Sequence, residues 1–236
     1  MKFELGKKRY NDYPTFFKTL FEERVQKLSI DGGFTCPNRD GSKGVGGCSF
    51  CNNESFNPDY CRAVRGITEQ IDEGIRFFAR KYKGQRYLAY FQAYSNTYAP
   101  LDVLKLRYEE ALAHPMISGL VIGTRPDVVS EEVLDYLEEL ARRYYVCVEY
   151  GVESVNDTVL RQVNRGHDFA VAEQAIRATA GRGITIGAHL IFGLPGESRE
   201  SMLEGAIRLC ELPIQVLKLH QLQIVKGTRL AEQYLE

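Results

Sequence analysis

Short apolar segments alternate with longer amphipathic segments along almost the whole of this chain. The apolar segments are nearly continuous in their hydrophobic character, which is typical of strands buried on both faces of a parallel sheet. They lie at 25–30, 86–94, 118–124, 144–152, 184–194 and 216–225. Because two parallel strands need a crossover connection, this alternation predicts repeated right-handed βαβ units.

Amphipathic helices are predicted between these strands, at 68–82, 130–144, 168–183 and 198–212. Ser130 is a candidate N-cap, since acidic residues of a first turn follow it. Gly181 and Gly183 are stop signals for the third of these helices. Six strands with five or more helices fit an incomplete α/β barrel or an open doubly wound sheet.

Composition and charge are those of an ordinary globular protein. Hydrophobic residues make up 44% of the chain, charged residues make up 26%, and the net charge is −1, so no global basic field indicates nucleic acid. No apolar run approaches the roughly 20 residues of a membrane span, and the N-terminal segment lacks a secretory apolar core. We therefore expect a cytoplasmic protein without membrane contact, in which the cysteines stay reduced.

Three cysteines follow the first predicted strand on one glycine-rich loop. Cys48 and Cys51 form a C-x2-C pair, and Cys36 precedes them across a gap of eleven residues. In α/β proteins, sites gather at the carboxyl ends of strands, which is where this loop begins. Thiolates are soft ligands suited to zinc, copper(I) or iron–sulfur clusters. The loop is therefore a candidate metal site with three protein ligands and one open position.

Together with Phe50, which directly precedes the last cysteine, this loop resembles the cluster loop of radical S-adenosylmethionine (SAM) enzymes. The usual spacing there is C-x3-C-x2-C. The longer loop here, C-x11-C-x2-C, resembles a branch related to the elongator catalytic subunit and to oxygen-independent coproporphyrinogen oxidase. The resemblance implies an α/β fold, a partial (β/α)6 TIM-like barrel. It also implies a 4Fe–4S cluster on Cys36, Cys48 and Cys51, whose fourth iron binds the amino and carboxyl groups of SAM.

Further segments resemble the SAM-binding motifs of this family, in the family's order along nearly the whole chain. FQAYSNTY (91–98) occupies the position of the family's glycine-rich segment, whose backbone carbonyls accept hydrogen bonds from the SAM amino group. The resemblance gives this role to Gln92, Ala93, Tyr94 and Ser95.

Three more segments resemble parts of the same site. VEYGVESVNDTVLRQVNRGH (148–167) places Glu153 at the ribose hydroxyls and Arg165 at the SAM carboxylate. HLIFGLPGES (189–198) and LHQLQIVKGT (219–228) place Ile191 and Leu222 against the adenine. A carboxylate can accept from both hydroxyls of a diol, and an arginine fork can hold a carboxylate bidentately.

Several residues keep two interpretations. IGTRPDVV (122–129) resembles a third-strand motif in which Thr124 and Arg125 face the substrate or SAM, and a structural turn at Pro126 is the alternative. His189 and His220 are candidates for the barrel interior, although a strand histidine is more often only hydrogen bonded.

The remaining cysteines offer an alternative to the cluster. Cys61 would complete a four-thiolate zinc site with the three loop cysteines, in a non-enzymatic zinc-binding module. Cys147 and Cys210 are interpreted as buried apolar residues.

The resemblance implies a reductive cleavage of SAM to methionine and a 5′-deoxyadenosyl radical, which abstracts hydrogen from a substrate. An external one-electron donor, flavodoxin or ferredoxin, is implied as a partner. The relatives by motif act on tRNA wobble uridines or on porphyrin side chains. We therefore predict tRNA nucleoside modification first and a radical reaction on a small molecule second.

We expect two parts in the chain. Residues 1–24 would form an N-terminal extension, and residues 25–236 would form the radical SAM core. Because the chain stops soon after the sixth predicted strand, we expect a further C-terminal domain to be missing from it.

Overall fold

The computed structural model describes residues 10–52, 54–80 and 85–235. Six strands form one sheet in the order β1-β2-β3-β4-β5-β6, and every neighbouring pair is parallel. The strands are β1 (Arg24–Ile30), β2 (Gln85–Phe91), β3 (Ile117–Thr124), β4 (Tyr145–Glu153), β5 (Thr185–Phe192) and β6 (Val216–Gln221). All six predicted strands are confirmed, and β2 and β6 end several residues earlier than predicted.

Helices connect the strands. They are α1 (Tyr13–Phe21), α2 (Ile67–Ala79), α3 (Leu101–Leu112), α4 (Glu131–Ala141), α5 (Asp157–Gln162), α6 (Phe169–Thr179), α7 (Arg199–Cys210) and α8 (Arg229–Leu235), with short 3-10 turns at Glu54–Phe56 and Pro126–Val128. The four predicted helices are confirmed as α2, α4, α6 and α7. The helix predicted at 68–82 corresponds to α2, and its last two predicted residues, 81 and 82, lie outside the described residues.

The helix boundaries follow the local sequence signals. The Ser130 hydroxyl accepts a hydrogen bond from the Val133 amide at 3.3 Å, so the predicted N-cap of α4 is confirmed. Asp12 and Ser198 cap α1 and α7 in the same way. After α6, Gly181 adopts a φ of +83°, a left-handed conformation that favours glycine and ends the helix.

The sheet curls into a half barrel that places helices on its outer face. Alternate strand residues, such as Leu28, Leu120 and Ile186, point outward and pack with Ile71 and Leu137 of the helices in one continuous core. The strand order never reverses, so the topological switch of a doubly wound sheet is absent from the described strands. The expected partial (β/α)6 TIM-like barrel is therefore confirmed.

The first helix closes the amino-terminal end of the barrel interior. Phe17 of α1 is 3% exposed and packs with Leu88, Val121 and Cys147, which point inward from three strands. The ring of Phe17 also meets the ring of Tyr145 edge-on at 5.4 Å between centroids. Aromatic and apolar residues thus form a dry floor below the interior of the barrel.

Two of the cysteine predictions are decided by burial. Cys147 is fully buried in this floor, as predicted. The prediction that Cys210 is buried is wrong, because this residue at the end of α7 is exposed. No helix of the described residues is both long enough and apolar enough to cross a membrane.

We expect Phe17→Ala to destabilise the protein by about 3–5 kcal/mol, because it opens a cavity in the floor and removes aromatic contacts. Phe77→Ala, at a phenylalanine that is 59% exposed on α2, is the matched control and should cost less than about 1 kcal/mol. Urea denaturation of the apoprotein, followed by circular dichroism, measures both values. Equal effects of the two substitutions would show that α1 does not contribute to the core.

Candidate functional site

The carboxyl ends of the strands and the cysteine loop enclose a cavity of about 260 Å³. The three loop cysteines line it together with five residues predicted to contact SAM, namely Gln92, Tyr94, Ser95, Glu153 and Arg165. Ala93 is buried and is not among the lining residues. Residues that are far apart in the sequence are therefore brought to one place by the parallel sheet.

A second cavity, of about 390 Å³, adjoins the first. It is lined by Ile191 and Leu222, which are predicted to contact the adenine, and by Phe50 of the cysteine loop, and all three pack on one small apolar cluster. Glu153 and His220 line both cavities. The two cavities therefore form one site with a polar part beside the cysteines and an apolar part beside β5 and β6.

The cysteine loop is folded on itself rather than extended. The Arg39 amide donates to the Cys36 carbonyl at 2.8 Å, and the Gly47 amide donates to the Asn38 carbonyl at 2.8 Å. Gly47 has a φ of +77°, which favours glycine directly before Cys48. The eleven residues between the first two cysteines thus form a compact turn that keeps all three thiols on one cavity.

The fourth cysteine of the zinc alternative lies elsewhere. Cys61 is 1% exposed, and burial and the nearby Asp31 carboxylate raise the pKa of its thiol to about 12. It does not line the cavity of the loop cysteines. Among the described residues, no three His, Cys, Asp or Glu side chains converge closely enough to hold a single metal ion.

The segment after α5 fixes the backbone on both sides of Cys48. The side-chain amide of Asn164 donates to the Gly47 carbonyl at 2.8 Å, and the Ser49 amide donates to the Val163 carbonyl at 2.9 Å. Cys48 itself is buried, whereas Cys36 and Cys51 are half-buried. The position of the Cys48 sulfur is therefore set by contacts with a second element.

Arg165 connects this sulfur to the end of β4. One guanidinium nitrogen lies 3.6 Å from Cys48 Sγ, and another donates to the Gly151 carbonyl and lies 3.6 Å from Glu153 Oε1. Burial opposes its charge, but Cys48 and Glu153 outweigh burial and raise the pKa of Arg165 above its usual range. Its Nε is buried without a partner among the described residues. The guanidinium is thus charged and keeps donor capacity at the cavity.

Glu153 reaches the cavity through an irregularity in the sheet. The pairing of β4 with β5 shifts between Gly151 and Glu153, and Glu153 adopts a φ of +70°. A Cβ at Gly151 would lie 2.5 Å from Glu153 Oε1 and 2.9 Å from Arg165 Nη2. Glycine at 151 is therefore required for the two charged side chains to lie side by side.

Asn38 is a site residue that the sequence did not reveal. It is 1% exposed, and its Nδ2 donates to the Asn164 carbonyl at 2.6 Å and lies 3.7 Å from Cys48 Sγ. The only available signal was its place two residues after Cys36, which does not distinguish it from other polar loop residues.

Arg125 lines the first cavity, but its hydrogen bonds are made within the protein. It donates to both carboxylate oxygens of Asp127, at 2.9 and 2.8 Å, and to the Arg165 carbonyl at 2.8 Å. Burial would raise the pKa of Asp127, but the hydrogen bonds and charges of Arg125 and Lys43 outweigh it and lower this pKa to about 2. Arg125 therefore holds the segment that carries Arg165, and Thr124 beside it hydrogen bonds to Thr97 at 2.7 Å.

A layer of polar side chains, which we call the polar layer, lies between the cysteines and the apolar floor. It consists of Lys27, Tyr90, Glu149, His189, Lys218 and His220. Glu149 is fully buried, accepts from His189 Nε2 at 2.8 Å and forms an ion pair with Lys27. The two histidine rings lie 5.2 Å apart between centroids, so both candidate histidines do face the barrel interior.

The other members of the polar layer were missed by the sequence reasoning. A usable signal existed, because Lys27, Glu149 and Lys218 are charged residues inside strand segments that are otherwise apolar. Such residues are rarely buried unless they are paired, so together they indicated an internal ionic cluster.

Comparison with known proteins identifies the family. Residues 36–207 match the family model described as the radical SAM superfamily, which covers more than half of the chain. The chain therefore belongs to the radical SAM superfamily. Membership confirms the recognised family, the enzyme class and the expected cofactors, SAM and a 4Fe–4S cluster.

Related sequences extend over nearly the whole chain. Protein YhcC of Escherichia coli is 43% identical over 213 residues, which are 90% of this chain and 68% of that protein. Protein YtqA of Bacillus subtilis is 37% identical over 227 residues, which are 96% of this chain and 70% of that protein. A tRNA uridine(34) acetyltransferase of Methanocaldococcus infernus is 27% identical over 131 residues, which are 54% of this chain and 24% of that enzyme.

Solved structures share the fold at low identity. The Elp3 protein of Methanocaldococcus infernus has a TM-score of 0.64 and 19% identity, and the match covers 89% of this chain. Coproporphyrinogen III oxidase of Escherichia coli has a TM-score of 0.59 and 17% identity, and the match covers 95% of this chain. The matches span only 49% and 54% of those two chains.

Proposed function

We propose that this protein holds a 4Fe–4S cluster on Cys36, Cys48 and Cys51 and cleaves SAM reductively to modify a nucleoside in tRNA. The observation that carries the first part is one cavity that three thiols share with charged groups suited to the amino acid portion of SAM. The proposed setting is the cytoplasm, where thiols stay reduced.

The residues fit both cofactors. Three thiols that line one cavity suit a cluster, in which each thiolate binds a different iron. Arg165 Nε and Ser95 Oγ are buried without hydrogen-bond partners among the described residues, so both have capacity for a polar ligand. The second cavity supplies apolar side chains for an adenine and the Glu153 carboxylate for a ribose.

When bound, the cluster supplies an electron that cleaves SAM to methionine and a 5′-deoxyadenosyl radical. The chain's own residues orient and enclose the reactants. Arg165 would bind the SAM carboxylate, Glu153 would accept from the ribose hydroxyls, and Phe50 and Leu222 would cover the adenine. The dry floor below the polar layer excludes water from the interior, which protects a reactive intermediate.

The proposal includes an external electron donor of the flavodoxin or ferredoxin type. Cys36 and Cys51 are half-buried, so one side of the proposed cluster site lies near the surface of the described structure. A small redox protein could therefore approach this side without entering the barrel.

We expect anaerobically purified protein to contain iron and sulfide close to four of each per chain, because three thiolates and SAM complete a 4Fe–4S cluster. Alanine at Cys36, Cys48 or Cys51 should remove most of the iron. Cys61→Ala is the matched control and should keep it, since Cys61 lies outside the cavity. Stoichiometric zinc that depends on Cys61 would instead support the non-enzymatic alternative.

We expect Glu153→Gln and Arg165→Met to weaken SAM binding by roughly 1–3 kcal/mol each, because each loses a charge-assisted hydrogen bond. Glu204→Gln and Arg161→Met, at exposed positions on α7 and α5, are the matched controls. Equilibrium dialysis with labelled SAM measures the affinities in preparations with equal iron content. Unchanged affinity in both site variants would disprove the assignment of these two residues.

The tRNA part of the proposal is supported by sequence similarity to the tRNA uridine(34) acetyltransferase of Methanocaldococcus infernus. The net charge of −1 provides no long-range attraction for RNA, so contacts would come from local groups at the mouth of the barrel. A small-molecule substrate is the second candidate, because a cavity of about 260 Å³ also suits one.

We expect cells that lack the gene to show a changed wobble nucleoside in bulk tRNA, measured by mass spectrometry of digested tRNA. The wild-type gene and its Cys61→Ala variant should restore the normal profile, and Cys48→Ala should not, since Cys48 lines the cluster cavity and Cys61 does not. Identical nucleoside profiles together with an altered pool of small metabolites would favour the small-molecule alternative.

A further inference from the structure

The polar layer contains more positive charge than its own carboxylate neutralises. Lys27 and Lys218 both point toward Glu149, which is the one carboxylate of the layer. Glu149 is fully buried, and both of its oxygens are occupied, one by Lys27 and the other by His189 Nε2 at 2.8 Å. Lys27 is therefore the counter-ion of Glu149, and this pair is complete without Lys218.

The hydrogen-bonding capacity of the Lys218 ammonium group is only partly used by the described residues. Its Nζ lies 4.0 Å from Glu149 Oε2, at the outer limit of an ion pair, and donates to the Tyr90 hydroxyl at 3.2 Å. An ammonium group has three donors, and the described residues provide this one hydrogen bond. The Lys218 side chain is 38% exposed and lines the first cavity, so its remaining donors point to space that a ligand can occupy.

His220 lies two residues further along the same strand and faces the same space. Within the described part of the chain, no hydrogen bond to its ring nitrogens is recorded, and its ring contact is with His189. Burial, followed by His189 and Lys218, lowers the pKa of His220 to about 4, although Glu149 opposes this. Burial and Lys27 lower the pKa of Lys218 as well, although Glu149 and Glu153 oppose this.

We propose that Lys218 and His220 bind an oxyanion, a carboxylate or a phosphate, that belongs to the substrate. The anion would accept hydrogen bonds from the free donors of Lys218 and from a ring N–H of His220. It would neutralise the positive charge that Glu149 leaves uncompensated. This inference rests on the proposed function, since it places the substrate in the cavity of the loop cysteines.

The site differs from the one proposed for SAM. Arg165, assigned to the SAM carboxylate, lies beside Cys48 and the end of β4, whereas Lys218 belongs to β6. Lys218 does not line the second cavity, where the adenosine would bind, whereas His220 lines both cavities. An anion at Lys218 would therefore occupy the part of the first cavity that remains beside the polar layer.

Two small probes test the proposal and distinguish the two kinds of anion. Holoenzyme with measured iron, sulfide and SAM cleavage is titrated with carboxyl-¹³C acetate and, separately, with inorganic phosphate. Nuclear magnetic resonance then measures the ¹³C or ³¹P linewidth of the probe. We expect one probe to broaden in a saturable manner, and to broaden further when the cluster is reduced, because an unpaired electron then lies nearby.

Substitutions at Lys218 and His220 test whether the anion probe binds at these two residues. Lys218→Met should weaken binding of the responsive probe at least tenfold, Lys218→Arg should retain most of it, and His220→Ala should weaken it severalfold. Lys218 Nζ lies over the ring of Tyr90, at 5.3 Å from its centroid. Lys105→Met is the matched control, because Lys105 lies over the ring of Tyr136 in the same way, at 5.2 Å, but on the outer helix α3. A response to acetate identifies a carboxylate substrate, and a response to phosphate identifies a phosphate.

Two results would overturn the inference. One is the absence of saturable broadening for both probes in holoenzyme that cleaves SAM, which leaves the proposed function intact. The other is broadening that Lys218→Met does not reduce, which would place the anion elsewhere. Protein that contains no iron or does not cleave SAM would contradict the proposed function instead. In that case, the linewidths of the probes with oxidised or cluster-free protein would still show whether Lys218 binds an anion.

Discussion

The parallel pairing of six consecutive strands is the constraint on which the rest of this structure depends. It brings all carboxyl ends to one edge and all inward-facing residues to one concave surface. On β4 this alternation places Glu149 and Gly151 on the inner face, and Glu153 lines the same cavity beyond the shift in pairing after Gly151. Glu149 pairs in register with Gly187, where a Cβ would lie 2.8 Å from Glu149 Cγ. Small residues on neighbouring strands thus make room for the charged ones.

Charges in such an interior are stable only when they are paired. Burial opposes the ionisation of Glu149, but His189 and Lys27 outweigh it and hold the pKa of this carboxyl well below its usual range. The guanidinium of Arg165 is stabilised in a similar way by Cys48 and Glu153. The interior is therefore ordered by depth, with an apolar floor, then the polar layer, then the cysteines and their charged neighbours.

The sequence predicted the elements that depend on local patterns. Six buried strands and four amphipathic helices were recognisable because hydrophobic periodicity is a property of neighbouring residues. The three loop cysteines and Phe50 were recognisable because their spacing resembles that of a known family.

The rest depends on contacts between distant segments, which local patterns do not contain. Asn38 meets Asn164 across 126 positions, and Lys27 meets Glu149 across 122. The role of Arg125 could not be decided from its motif, because its partners, Asp127 and the Arg165 carbonyl, depend on how the loops after β3 and α5 meet. The exposure of Cys210 was missed for a similar reason, since an apolar side chain at a helix end can point either way.

Backbone strain is concentrated around the cavity of the loop cysteines. Four described residues other than glycine have a positive φ, and three of them, Tyr94, Glu153 and Asn164, contact the cavity or fix the backbone beside Cys48. Each such conformation costs on the order of 1 kcal/mol and persists only where surrounding contacts enforce it. At Tyr94, a tyrosine adopts the left-handed conformation that a glycine-rich segment would adopt without strain. The backbone conformation at the cavity is therefore imposed by contacts within the protein, and a ligand would not have to supply the free energy for it.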